Sequence, residues 1–161
     1  MKKSTISALS LAVAAALCMT GVALADTHPE GQIDIKLTNN SHSVLKLGGH
    51  RVWGPKNVGI MAVKSSFNPG MSLRHGETAS FLAKFEFERH IMPTKPYGAG
   101  VTVKKLFRDK AGDLYYKRCT VAVKAGPGKV LYFKHGSLCK HLDIKTSQSS
   151  GTITYVRAVY N

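Results

Sequence analysis

Residues 135–141 read HGSLCKH, a cysteine placed between two histidines. The thiolate of Cys139 and the imidazoles of His135 and His141 are all ligands that zinc accepts. Their spacing matches none of the paired C-x-x-C signatures of zinc sites, and the chain has no C-x-x-C that would suit a redox centre. What Cys139 does therefore depends on the compartment in which the protein folds.

The first 25 residues have the pattern of a secretory signal peptide. Two lysines are followed by an apolar run over residues 6–17, which is too short to span a bilayer permanently. Ala23 and Ala25 supply the small residues of a cleavage site. We predict a signal peptide of bacterial type over 1–25, and a mature protein that is periplasmic or secreted.

Export decides the role of the cysteines. Cleavage removes Cys18 and leaves Cys119 and Cys139, an even pair in an oxidising compartment. We predict a disulfide between them, which closes a loop of about 20 residues and stabilises the fold by roughly 3 kcal/mol. A metal site would need Cys139 as a free thiolate, so we expect no metal and no cofactor here.

A second candidate for chemistry is the segment FEFERH, residues 85–90. Small secreted nucleases use a carboxylate and a histidine as base and acid, with an arginine that binds phosphate. Glu86, Glu88 and His90 would share one face of a regular strand. A small secreted hydrolase or nuclease centred on these residues is one alternative function; an ordinary solvated strand face is the other interpretation.

The third candidate is basic charge interleaved with aromatic residues. The chain has 23 Lys+Arg against 9 Asp+Glu, a formal net charge of +14. Without Lys2 and Lys3 of the predicted signal peptide this becomes +12, well above what solubility asks of a small domain. Cations beside aromatic rings suit anionic polymers and lipid headgroups. The candidate binding residues are Arg51, Trp53, Lys104, Lys105, Arg108, Tyr115, Tyr116, Lys117 and Arg118.

These observations predict an exported, non-enzymatic, cationic binding protein. Its expected partner is an envelope glycolipid, a cell-wall polymer, an anionic membrane or an acidic protein, and peripheral membrane contact is compatible with this. Export argues against intracellular nucleic acid as the partner. Besides the hydrolase, the alternatives are a membrane-active, toxin-like module and an inhibitor or immunity protein that presents the loop 91–100.

The elements that must position these residues are strands. Apolar and polar residues alternate with a period of two, and no window shows a sustained period of 3.6. We predict an all-β single domain over 26–161, an antiparallel β-sandwich of about eight strands, with a closed β-barrel as the alternative. The expected strands are 32–40, 43–53, 58–67, 78–91, 101–108, 114–125, 129–136 and 151–161, with a Pro- and Gly-rich loop at 92–100.

Overall fold

The chain folds as two β-sheets packed face to face and not closed into a barrel, which confirms the predicted sandwich. A computed structural model describes residues 31–88, 91, 93–126, 129–149 and 152–161. The predicted signal peptide and His90 lie outside these residues.

Ten strands and one short 3-10 helix, Ser137–His141, make up the described fold. The strands are β1 Gly31–Asn39, β2 Leu45–Trp53, β3 Val58–Ser65, β4 Ser72–Leu73, β5 Thr78–Phe87, β6 Tyr97–Arg108, β7 Leu114–Gly126, β8 Lys129–His135, β9 Leu142–Ser149 and β10 Ile153–Tyr160.

The first sheet has the strand order β3-β5-β1-β10-β9, and the second has the order β4-β2-β6-β7-β8. Every pairing is antiparallel except that of β1 with β10, which is parallel. The neighbouring strands β1 and β10 of the first sheet thus come from opposite ends of the described chain.

The core lies between the sheets because each strand turns alternate residues inward. In β1 these are Ile33, Ile35 and Leu37, all fully buried. The ring of Tyr97 on β6 crosses to the first sheet, with its centroid 4.6 Å from that of Phe85 and 5.3 Å from that of Phe87.

Two strands and several boundaries differ from the sequence prediction; the strand predicted to reach residue 91, for example, ends at Phe87. Strands β4 and β9 were not predicted, because β4 is only two residues long and β9 is mostly polar after Ile144. Strand β6 begins at Tyr97, inside the segment 92–100 that the glycines mark as a loop. Glycine belongs in the strand at residue 98, because a Cβ there would collide with the ring of Trp53.

The predicted disulfide is present. Cys119 on β7 is bonded to Cys139 in the 3-10 helix, with 4.8 Å between their Cα atoms. Both residues are buried, so the bond anchors the segment after β8 to the sheet. Within the described ranges no helix has the length and apolar character needed to cross a membrane.

Candidate functional site

The outer face of the second sheet carries most of the predicted binding residues. Cys119, Val121 and Val123 of β7 point into the core, so the residues between them point outward. The same alternation holds on the neighbouring strands through the registered pairs. We call this surface the basic face; its larger side chains are Lys46, Arg51, Trp53, Lys104, Leu106, Arg108, Leu114, Tyr116, Arg118, Lys124, Leu131, Phe133 and His135.

Charge is divided unevenly between the two sheets. The strand sequences of the second sheet contain ten Lys and Arg and neither Asp nor Glu, whereas those of the first sheet contain five Lys and Arg and three acidic residues. The excess charge of the chain is therefore concentrated on one sheet, which raises the local positive potential.

Three cations of the basic face lie directly opposite one another. Lys104 of β6 pairs with Lys46 of β2 on one side and with Arg118 of β7 on the other. Like charges in such cross-strand positions destabilise a sheet, and the hydrogen bond of the Lys46 Nζ goes to a neutral group, the Ser72 Oγ, at 2.7 Å. An anion bound across this row would remove the repulsion.

The first sheet has a similar row with a different electrostatic setting. Arg157 of β10 lies between Lys36 of β1 and Lys145 of β9. Here, however, the Arg157 Nη1 is 3.3 Å from the Oδ1 of Asp34, so a carboxylate already offsets part of the positive charge of this row. The two rows form a natural pair for comparison.

A β-bulge in β2 brings Arg51 and Trp53 onto the basic face. The register with β6 shifts between Leu47 and Gly49, and one extra residue exchanges the inward and outward positions of all later residues in the strand. Gly49 has φ of 101°, a conformation that glycine adopts without steric cost. Without this bulge, Arg51 and Trp53 would point into the core.

A groove of about 430 Å³ lies beside Trp53. Its floor is formed by Gly100 and Ala122, small residues on neighbouring strands. At its far end lie Thr102 and Thr120, whose hydroxyl groups are hydrogen-bonded at 2.9 Å. Since the indole lies against Gly98, this groove has an aromatic wall beside a floor of residues with little or no side chain.

A second groove, of about 530 Å³, begins on the other side of the threonine pair. It is lined by Lys104, Arg118 and Tyr116, together with His135 at the end of β8. Lys104 and Arg118 are the next outward residues after the two threonines on β6 and β7. The two grooves thus succeed one another along the same pair of strands.

The structure separates the nine predicted binding residues into two groups. Six lie on the basic face, and the other three, Lys105, Tyr115 and Lys117, lie on the opposite side of the sheet. There the Lys117 Nζ is 4.5 Å from the centroid of Phe107, and the Lys105 Nζ is 5.4 Å from it. The Nζ atoms of these two lysines lie over an aromatic ring on that side, although Lys117 also lines part of the second groove.

Several residues of the basic face were not predicted as binding residues. Lys46, Thr102 and Thr120 enter the site only through cross-strand register, which a single sequence does not reveal. Phe133 belongs to YFKH, a basic and aromatic segment of the sequence, but it was not among the nine predicted residues; in the structure the Nζ of Lys124 lies 5.1 Å from its ring centroid.

The other two candidates from the sequence have different outcomes. Cys139 is occupied by the disulfide, and among the described residues no group of three His, Cys, Asp or Glu could hold a metal ion. Glu86 points away from the core of the first sheet, and Glu88 is exposed just beyond β5. Because His90 is outside the described residues, the hydrolase stays a hypothesis.

Comparison with known proteins gives no family assignment: the chain matches no protein-family model and no curated protein sequence. The geometry of the basic face is therefore the basis for a functional proposal.

Proposed function

We propose that this chain is an exported cationic binding protein, and that its basic face binds an anionic polymer or surface. The observation that carries this proposal is the concentration of cations on a sheet whose strands contain no acidic residue. Such a surface attracts anions over a distance of about a Debye length and lowers its own repulsion on binding them.

The disulfide supports the export that the proposal includes. Cys119 and Cys139 are joined in the core, and structural disulfides persist in oxidising compartments. An anionic partner in such a compartment would be an envelope glycolipid, a cell-wall polymer, the anionic surface of a membrane or an acidic protein.

A second candidate, peripheral contact with an anionic membrane, is favoured by one specific feature. Residues 105–108 and 114–117 pair only with each other among the described strands, forming a two-stranded arm over 105–117. Leu106, Leu114 and Tyr116 are exposed on this arm, next to Arg108. Exposed apolar side chains beside a cation suit the interface of a bilayer.

Two charge-matched double variants test the proposed function. Lys104→Gln/Arg118→Gln removes two charges from the basic face, and Lys36→Gln/Lys145→Gln removes two from the cationic row of the first sheet. Binding to polygalacturonate, lipopolysaccharide and phosphatidylglycerol vesicles would be measured at low and at physiological salt, with dextran and phosphatidylcholine vesicles as neutral controls.

We expect the first variant to weaken binding to its anionic ligand by at least about tenfold and the second by less than about twofold. Equal losses in the two variants would mean that only total charge matters, and the proposal would then be wrong. Binding to the neutral controls that survives high salt would contradict it as well.

A further inference from the structure

The groove beside Trp53 has features that charge alone does not require. Arg51, Gly100, Ala122 and Phe133 lie in one row across four strands, so two very small residues separate a guanidinium from a phenyl ring. Three strand spacings place the Cα atoms of Arg51 and Phe133 about 14 Å apart. This leaves a trough wide enough for a flat ring above the backbone.

Trp53 supplies a wall of this trough and does not project from the surface. Its indole lies against the backbone at Gly98 and is partly buried. A ring held in this way is poorly placed to insert into a bilayer, which requires protruding side chains. It can pack against another ring, such as the apolar C–H face of a sugar.

Each of the two grooves has a cation beside it. Arg51 flanks the trough, and Lys104 with Arg118 begins the second groove beyond the threonine pair. The four residue spacings from Gly100 to Lys104 cover about 13 Å of strand. A ligand that runs along β6 and β7 therefore meets a ring-binding position first and an anion-binding position next.

From this we infer that the occupant of the basic face is an anionic glycan that lies along β6 and β7. One sugar ring packs beside Trp53 in the trough, and a carboxylate, sulfate or phosphate of a neighbouring sugar binds Lys104 and Arg118. This inference rests on the proposed function and adds the class of ligand. Charge complementarity selects an anion, and the concave aromatic trough selects a polymer that contains rings.

The test uses the fact that Trp53 is the single tryptophan of the chain. Its fluorescence reports on the trough without labelling. The ligands are galacturonate oligosaccharides, which have rings and charge, and polyphosphate, which has charge without rings. Phosphatidylglycerol vesicles and single-stranded DNA serve as competing ligands, and each titration is repeated by calorimetry.

We expect galacturonate oligosaccharides to shift the Trp53 emission and polyphosphate to leave it nearly unchanged. Trp53→Ala should weaken binding of the oligosaccharide by about tenfold and binding of polyphosphate by less than about twofold. Trp53→Phe, which keeps a ring in the trough, should recover most of the loss. Thermal unfolding of each variant checks that the fold is retained.

Lys104→Gln/Arg118→Gln should weaken the binding of both ligands. It should also lower the slope of the logarithm of the binding constant against the logarithm of the salt concentration, by roughly one to two. If that variant loses binding but Trp53→Ala does not, the face binds anions without a sugar ring: the proposed function stands and the glycan is wrong. If vesicles or DNA bind more tightly than the oligosaccharide at equal charge, the glycan is likewise wrong.

Discussion

Tyr97 connects the two sheets through a buried phenol. Its ring packs on Phe85 and Phe87, and its hydroxyl donates a hydrogen bond to the carbonyl oxygen of Thr152 at 3.3 Å. Burial raises the pKa of Tyr97 from 10.0 to about 12. The folded protein therefore keeps this proton at a pH where the unfolded chain has released it.

This difference predicts a loss of stability at alkaline pH. Because the pKa is raised on folding, the contribution of Tyr97 is complete below pH 10.0 and is lost as the pH rises toward about 12. We expect the midpoint of urea unfolding to fall over this interval in the wild-type protein. In Tyr97→Phe the fall should be smaller, although removal of the hydrogen bond costs about 1 kcal/mol at neutral pH. Parallel pH dependences in the two proteins would contradict the assignment.

At the residue scale, sequence patterns gave the types of side chain but not their neighbours. The segment VKKLFR pointed to Lys104 and Lys105 together, yet strand alternation sends them to opposite faces. The row that includes Lys46 depends on register between strands far apart in sequence. The disulfide was predictable because only two cysteines remain after the predicted signal peptide, and this left a single pairing.

At the scale of elements, the β-bulge of β2 determines what the basic face contains. Gly49 has φ of 101°, so Gly49→Ala should cost about 1 kcal/mol through strain. If the bulge is lost, Arg51 and Trp53 change sides. We expect a changed Trp53 emission and weaker anion binding in this variant.

Gly76→Ala provides a matched control for that prediction. Gly76, in the turn before β5, also has a positive φ, of 77°, and a Cβ there would meet no atom within 4 Å. The strain should be similar, but the emission of Trp53 and the binding of anions should not change. If both variants alter the emission equally, the bulge does not specifically control the groove.

The disulfide also acts at the scale of elements, where it joins β7 to the 3-10 helix. We expect it to contribute to stability and not to anion binding. We expect Cys119→Ala/Cys139→Ala to lower the free energy of unfolding by roughly 3 kcal/mol in urea titrations. Since both sulfurs are in the core, anion binding by the folded variant should match that of the wild type at the same temperature. Ser137 of the 3-10 helix lines the second groove, so a selective loss of binding would show that the groove depends on the disulfide to hold this helix in place.

The sandwich and most of its strands were predictable from the period-two alternation, because buried apolar residues dominate the central strands. Strand β9 could not be predicted from this alternation. Only Leu142 is buried there and Ile144 is partly buried, so the strand is held by its hydrogen bonds to β10 and less by apolar packing. Gly98 and Gly100 were predicted to lie in a loop, but both lie in strand β6. Glycine in a strand often marks a surface that another group approaches closely.

At the scale of the whole molecule, β10 determines whether the first sheet is complete. It lies between β1 and β9, and its Val156 and Ala158 are buried in the core. A chain that stops after Ser149 should therefore lose cooperative unfolding, as measured by circular dichroism in urea. A sharp transition like that of the full chain would show that the second sheet holds the fold by itself.

The parallel pairing of β1 with β10 also has a consequence for biosynthesis. Gly31 is made well before the strand that must cover the open flank of β1, because that strand begins only at Ile153. During that delay β1 offers unpaired amide and carbonyl groups to any neighbouring polypeptide, which is a recognised route to aggregation. A nascent molecule of this kind benefits from being kept extended by a chaperone until β10 emerges.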